Sequence, residues 1–224
     1  MSGKVWISGL FSNFEIGFEE GTRAKFYGHD WEPASKKVPP VPSEVLDSFR
    51  RYRGGFTLQR ADLTEATAVF DKRRFAKIID IFSAGPFYAV KGKLAEVLTR
   101  FDLGEGGLIP FTIYQADLVT PLEGEYFLLN FGARKNTILP EQSRNVVKGV
   151  IRKATGEQLW DINSWFEDGE IVLSATADFG PDLWMEEVLG SSKLFLRDAL
   201  AQAIIEIGMK DVFRLKQCTI AGAV

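Results

Sequence analysis

Two stretches of this chain share one grammar. "GPFYAVKGKLAEVLTRFDLGEGGLIPF", residues 85–111, and "SSKLFLRDALAQAIIEIGMKDVFRLKQC", residues 191–218, each read as a short apolar strand, an amphipathic helix and a second strand. Such a unit constrains a fold strongly, because the apolar stripe of its helix must be buried against the sheet that its own strands enter. Sliding one stretch by 106 positions lays Leu94–Ala95 on Leu200–Ala201, Leu98 on Ile204, Phe101 on Ile207 and Leu103 on Met209. Identity is thin; the order of elements and the apolar phase are what match. Any two amphipathic helices align in this manner, and so would a duplicated half-fold. The expectation is an α+β protein: a mixed or antiparallel sheet, several amphipathic helices, and a candidate internal strand–helix–strand duplication.

The first copy is expected to run from a strand at "FYAV" into a helix carrying Leu94, Val97, Leu98 and Phe101, ended by Gly104, with Gly92 where a capping side chain would stand. The second places Asp198 as N-cap, Leu200, Ile204 and Ile207 as the stripe and Gly208 as the stop. Elsewhere, "NFEIGF" alternates as a strand, with "TRAKFY" as its hairpin partner. Residues 28–43 hold Pro33, Pro39, Pro40 and Pro42 and read as an extended connector. The domain expectation is therefore 1–43, a β hairpin and proline-rich connector, and 44–224, an α+β domain. Ser43 would cap a helix with Val45, Leu46 and Phe49 inward and Gly54–Gly55 as stop. "FTLQRAD" reads as a strand. Phe75, Ile78, Ile79 and Phe82 predict a helix over 71–82. "IPFTIYQADL" and "EYFLLNFGA" are the strongest strand signals. Residues 140–165 give no clear period, and "FEDGEIVLSATAD" reads as a hairpin turning at Asp168–Gly169.

The chain's chemistry is sparse. His29 is the single histidine, so any histidine-based triad or metal site must use it, and it stands in a loop-like "YGHDWEP". Cys218, the one cysteine, excludes an intrachain disulfide and suits a reducing compartment. "GEGG" at 104–107 follows a helix and precedes a strand, the reverse of a phosphate-binding loop. "DINSWFEDGE" has Phe166 where a calcium loop needs glycine. A net charge of −3 argues against a general nucleic-acid binder. No apolar run reaches membrane-span length, and the first residues make a poor signal peptide. The expectation is a cytoplasmic protein with no catalytic residues, metal or other cofactor.

Charge is distributed unevenly. Between Ala154 and Ser192 stand nine acids and no lysine or arginine, so this segment carries −9 and the remainder +6. Trp160, Trp165 and Trp184 lie in the same segment. Aromatic anchors ringed by carboxylates suit a contact surface for a basic partner. The surface so read consists of Trp160, Asp161, Trp165, Glu167, Asp168, Glu170, Trp184, Glu186 and Glu187. A solvated acidic face with core tryptophans would give the same letters. An opposing basic cluster, Arg50, Arg51, Arg53, Arg60, Lys72, Arg73, Arg74 and Lys77, could pair with acids or hold an anion.

"GPFYAVKGKLAEVLTRFDL", "EYFLLNF" and "DLWMEEVLGSSKLFLRDALAQAIIEIGMKDVFRL" together resemble the Imm11-type immunity family of bacterial polymorphic toxin systems. The resemblance spans roughly residues 75–218 and rests on structural phrases. It implies an antidote that binds a cognate protein toxin and needs neither cofactor nor turnover; the acidic segment adds the expectation that the toxin's contact surface is basic. Two other functions stay open: an enzyme or binding protein for a phosphorylated or acidic small molecule, using the arginines of 50–77, and a chaperone-like partner of a secretion system.

Overall fold

The computed structural model describes residues 3–13, 16, 22–31, 42–153 and 155–222. These form an α+β fold in two compact units that interleave along the chain, residues 14–100 with 106–131, and residues 1–13 with 101–105 and 132–224. The division differs from the one read at residue 43, because the first strand, β1 (Val5–Ser8), pairs with strands near the C-terminus. Most of the expected first hairpin, 14–18, and of the connector, 32–41, lies outside the described residues.

The unit of 14–100 and 106–131 begins with β2 (Thr22–Phe26) and α1 (Ser43–Arg53). β2 pairs antiparallel with β3 (Thr64–Val69). "FTLQRAD", expected as a strand, is irregular and ends in a 3-10 turn at Arg60–Asp62, and the strand follows it. α1 buries Val45, Ser48 and Tyr52, while Leu46 is exposed. The helix is rotated from its expected phase because Tyr52 is its anchor. The Tyr52 hydroxyl donates to Leu129 O (2.8 Å) and accepts from Tyr88 N–H (3.1 Å), and its ring meets those of Phe87 and Phe131.

The helix expected over 71–82 shortens to α2 (Lys72–Phe75), followed by β4 (Ile81–Ala84). Phe75 and Phe82 still meet edge to face at 5.3 Å, so the seven-residue spacing marks a shared core contact without a continuous helix. A two-residue turn with Gly85 at φ +66° links β4 to β5 (Phe87–Val90), from which the chain enters α3 (Gly92–Leu98). β6 (Gly107–Pro110), β7 (Thr112–Gln115) and β8 (Phe127–Asn130) complete the unit. One sheet has the order β4-β5-β8-β6, all antiparallel, and the other the order β2-β3-β7.

The other unit adds β9 (Arg134–Lys135), a hairpin of β10 (Val146–Arg152) and β11 (Glu157–Ile162), and β12 (Val172–Leu173). It continues with β13 (Leu183–Glu186), β14 (Leu194–Arg197), α4 (Asp198–Glu206), α5 (Lys210–Phe213), β15 (Leu215–Gln217) and β16 (Thr219–Ile220). Its main sheet has the order β15-β1-β14-β13-β9. Its core holds Val5, Ile7, Phe166, Trp184, Phe195 and Cys218.

The two halves share a topology. In each, an antiparallel hairpin (β4/β5 or β13/β14) feeds a helix, and the strand after the helix (β6 or β15) lies parallel to the second hairpin strand with one strand between them. That inserted strand is β8 in one copy and β1 in the other. The likeness extends to detail. Lys91 N–H donates to Asp80 O (3.0 Å) and Arg197 N–H to Asp182 O (2.9 Å), and the same side chains pair at 3.7 and 3.3 Å. Each base is the residue before its helix. Leu94 and Leu200, Ala95 and Ala201, Leu98 and Ile204, and Leu103 and Met209 are buried in every case. A duplicated half-fold accounts for these matches; helical periodicity alone would not reproduce the flanking Asp–base pairs.

The helix starts differ from the sequence reading. Asp198 is the first residue of α4 and no cap; its Oδ1 accepts from Trp6 Nε1 (2.8 Å) and from Gln202 Nε2 (3.2 Å), which ties β1 to the helix. At α3 the missing cap is supplied from a distance: Asp80 Oδ2 accepts Leu94 N–H at 3.4 Å. Gly92, at φ +55°, is what lets that carboxylate in, since a Cβ there would lie 2.8 Å from Asp80 Oδ2. Gly104 does not stop α3, which ends at Leu98; it passes so close to Gly132 that a Cβ would lie 2.5 Å from its carbonyl oxygen.

Candidate partner-binding surface

β11 ends at the buried Ile162, and the chain then turns outward as Asn163-Ser164-Trp165 before plunging back with Phe166. Phe166 belongs to the core, whereas Trp165 is 85 % exposed. Residues 167–170 make a tight turn closed by Glu170 N–H to Glu167 O (3.3 Å), with Gly169 at φ +81°. The expected turn at Asp168–Gly169 is present, but no hairpin follows it. β12 pairs parallel with β16, and the turn is bound to the C-terminal strands. Gly169 N–H donates to Gln217 O (2.8 Å), Gln217 N–H to Asp168 Oδ1 (2.6 Å) and Thr219 Oγ1 to Gly169 O (3.1 Å). Lys216 pairs with Glu167, and that bond raises the lysine's pKa. Glu170 accepts from Glu167 N–H (2.8 Å) and Asn145 Nδ2 (2.7 Å), which holds its carboxyl below the usual range. The loop is thus built around Trp165, and its acids are fastened to neighbouring groups at the surface.

Trp165, Glu167 and Asp168 line a cleft of about 510 Å³ together with Lys210, Arg214 and Lys216. Arg214 has φ +50°, a left-handed conformation that costs a non-glycine residue about 1–2 kcal/mol. Its Nη1 donates to Ser12 O (3.0 Å), and its carbonyl accepts Gly9 N–H (3.4 Å). The cleft carries both signs of charge, so the uniformly acidic face read from residues 154–192 is not what the fold builds. α5 and β15 carry cations to it from outside that segment.

The nine residues singled out from the sequence separate into three groups. Trp165, Glu167, Asp168 and Glu170 share the loop. Trp160, Asp161 and Glu187 are half-buried elsewhere in the same unit. Trp160 gives its N–H to Val188 O and takes Gly190 N–H on its carbonyl, both at 2.8 Å. The Asp161 carboxylate abuts Gly149 and Gly190, and Glu187 pairs with Arg134 at 3.9 Å. Trp184 and Glu186 belong to no surface: they are 1 % and 4 % exposed. Two residues apart on β13, they point to the same side, and Trp184 Nε1 donates to Glu186 Oε1 (2.8 Å). Thr137 N–H (2.6 Å) and Ile138 N–H (3.1 Å) complete the shell of that carboxylate, together with the Thr137 hydroxyl.

Above Trp184 stands Lys135, its Nζ 3.6 Å from the ring centroid and donating to the carbonyls of Ala177 (3.3 Å), Phe179 (2.6 Å) and Pro181 (3.1 Å). This clamp shapes the loop that presents Phe179, 70 % exposed. Burial, with the neighbouring Arg197 adding to it, pushes the Lys135 pKa down to about 8. Above that pH the folded protein has released a proton that the unfolded chain still holds, so stability contributed by this group rises with pH. Urea unfolding of the protein and of Lys135→Met is expected to show a difference in stability that shifts in the protein's favour between about pH 8 and 10; a flat difference would place the ammonium in solvent.

Cys218 is buried, and burial raises its thiol well above the ordinary value. A thiol reagent is expected to label it only as fast as the unit unfolds, and rapid labelling of the native protein would contradict that placement. His29 lies at the surface with Nε2 3.1 Å from Glu44 Oε1. The arginines of 50–77 do not converge. Arg50 pairs with Asp47, Arg51 with Asp62, and Arg60 donates to Thr64 O and Glu65 O, while Arg73 and Arg74 are exposed. Among the described residues no cluster of three or more metal-ligating side chains occurs, and no helix is long and apolar enough to cross a membrane.

Lys210, Arg214 and Lys216 were not singled out from the sequence. Their place opposite Trp165 depends on strand pairing across about fifty residues, which no local pattern records. No family model matches the chain, and comparison with curated proteins finds no match.

Proposed function

We propose that this protein is an immunity protein: it binds a cognate bacterial protein toxin in the cytoplasm and neutralises it by covering the toxin's functional surface. One observation carries this reading. Trp165 is a large aromatic side chain held almost wholly in solvent by a loop bonded to β15 and β16 on one side and anchored by Phe166 below. A loop so fastened presents its side chain without first having to order its backbone, and tryptophan is enriched among the energetic centres of protein interfaces. The mixed-charge cleft beside it would set the orientation of a partner. The resemblance of the strand and helix phrases to Imm11-type proteins supplies the class of partner. A cognate toxin is expected to offer an apolar pocket for Trp165, rimmed by charges of both signs.

The test is capture from cells that make the protein. A single co-purifying polypeptide that stops the growth of cells lacking the protein, and fails to do so when it is present, is the expected result. Cells without the protein that tolerate every captured polypeptide would end the proposal. So would purified protein that converts a substrate unaided.

A further inference from the structure

The β10–β11 hairpin has an unused edge. Trp160 on β11 spends its N–H on Val188 O and its carbonyl on Gly190 N–H, both on the side away from β10. In an antiparallel ladder, backbone groups alternate between facing the partner strand and facing away from it, and residues opposite one another do the same. Lys148 is opposite Trp160, and Val146 is two residues before it. The N–H and C=O of both therefore point to the outer edge of β10, where no hydrogen bond meets them among the described residues. The same strand exposes Val147, Val150 and Ile151 at 46, 69 and 61 %. Proteins usually blunt such an edge with charge, proline or a bulge. β10 has a register shift between Lys148 and Ile151, yet it retains three exposed aliphatic side chains around it. Along this edge Arg144, Lys148 and Lys153 are exposed, while Arg152 is paired with Glu157 and the Asp161 carboxylate is turned against Gly149.

We propose that the edge of β10 is a docking site for an extended, acidic segment of a partner protein, which it accepts as an added strand. The partner's backbone pairs with Val146 and Lys148. Its alternate aliphatic side chains lie on Val147 and Val150 on one face, and its carboxylates meet Arg144, Lys148 and Lys153. A second copy of this chain is the poorer occupant, because two β10 edges would bring like charges together. The site adjoins the Trp165 loop, since Arg144 N–H donates to Glu170 O (2.7 Å), but it does not use Trp165 and does not depend on the partner being a toxin.

The probe is an end-capped peptide of alternating valine and glutamate, of ordinary strand length, with a lysine-for-glutamate version as control, each followed by fluorescence anisotropy. Lys148→Pro removes an outward N–H and leaves the pairing with β11 in place. Val150→Glu changes only an exposed side chain and serves if the proline variant fails to fold, as judged by circular dichroism. The glutamate peptide is expected to bind, the lysine peptide about tenfold more weakly, and either variant to lose about tenfold in affinity for the glutamate peptide. Absence of binding up to about 1 mM, or equal affinity for the two peptides, would overturn the proposal. A concentration-dependent dimer in sedimentation that Lys148→Pro abolishes would assign the edge to self-association instead.

Discussion

Replacing Glu186 with alanine will cost this protein about 3–5 kcal/mol, the largest loss expected of any single substitution discussed for it. The carboxylate accepts from Trp184 Nε1, Thr137 N–H, Ile138 N–H and the Thr137 hydroxyl in a site that is 4 % exposed. Removing it leaves buried donors with nothing to meet, and each orphaned donor costs about 1–3 kcal/mol. Lys135, which stands over Trp184, loses a nearby negative charge as well. For a chain of this size the midpoint of thermal unfolding should fall on the order of 10 °C. Glu186→Gln, which keeps one acceptor oxygen, should lose less than half as much. Chemical denaturation measures both. A loss below about 1 kcal/mol for the alanine variant would mean that water replaces the carboxylate and that the shell is not closed.

Replacing Trp165 with alanine should have the opposite profile: unchanged stability and lost binding. At 85 % exposure the ring contributes little to the folded state. At the centre of an interface its removal costs about 2–4 kcal/mol, roughly a 30- to 700-fold loss of affinity. Calorimetry against the captured partner reads the affinity, and growth protection reads the consequence. An affinity within about threefold of the parent would remove this loop from the binding surface. Charge reversal of Glu167 and Asp168 is a poorer probe, since those side chains fasten the loop to Lys216 and Gln217 and their loss would disturb the presentation of Trp165 along with the charge.

Elements that carry their own pattern were readable in the sequence, and elements defined by distant partners were not. "FYAV", "LFLR" and "FLLN" are strands where expected because each is a short run of apolar residues, and Leu94, Leu98, Leu200 and Ile204 are core because their spacing matches the helical period. The stripe of 71–82 misled because an i, i+7 pair also arises when a short helix and a strand send Phe75 and Phe82 to one place. The strand of Thr64–Val69 went unread: its alanines and threonines give no alternation when four of its six residues face covered surroundings in succession. At the candidate surface the tryptophan and its flanking acids were legible as letters. Their directions were not, since Trp165 and Phe166 differ only in which one meets Val5, Ile7 and Cys218 across the fold. Glu186 looked like one more surface acid. Its place in the core rests on donors brought from a distant segment, the backbone of Thr137 and Ile138 and the Thr137 hydroxyl, together with Trp184 Nε1, and no local pattern records that meeting.

The position of β1 bears on how the molecule is made. It emerges from the ribosome long before the strands it will pair with, Leu194–Arg197 and Leu215–Gln217. The half completed by β8 has all of its strands by Asn130 and can close while synthesis continues. The half that bears Trp165 cannot, so a chain stopped early is left with an orphaned "VWIS" segment and an unfinished sheet. The sheet of β15-β1-β14-β13-β9 is thereby reserved for polypeptides read through to β15, and in an interrupted product the unpaired apolar strand is a handle for chaperones or proteases.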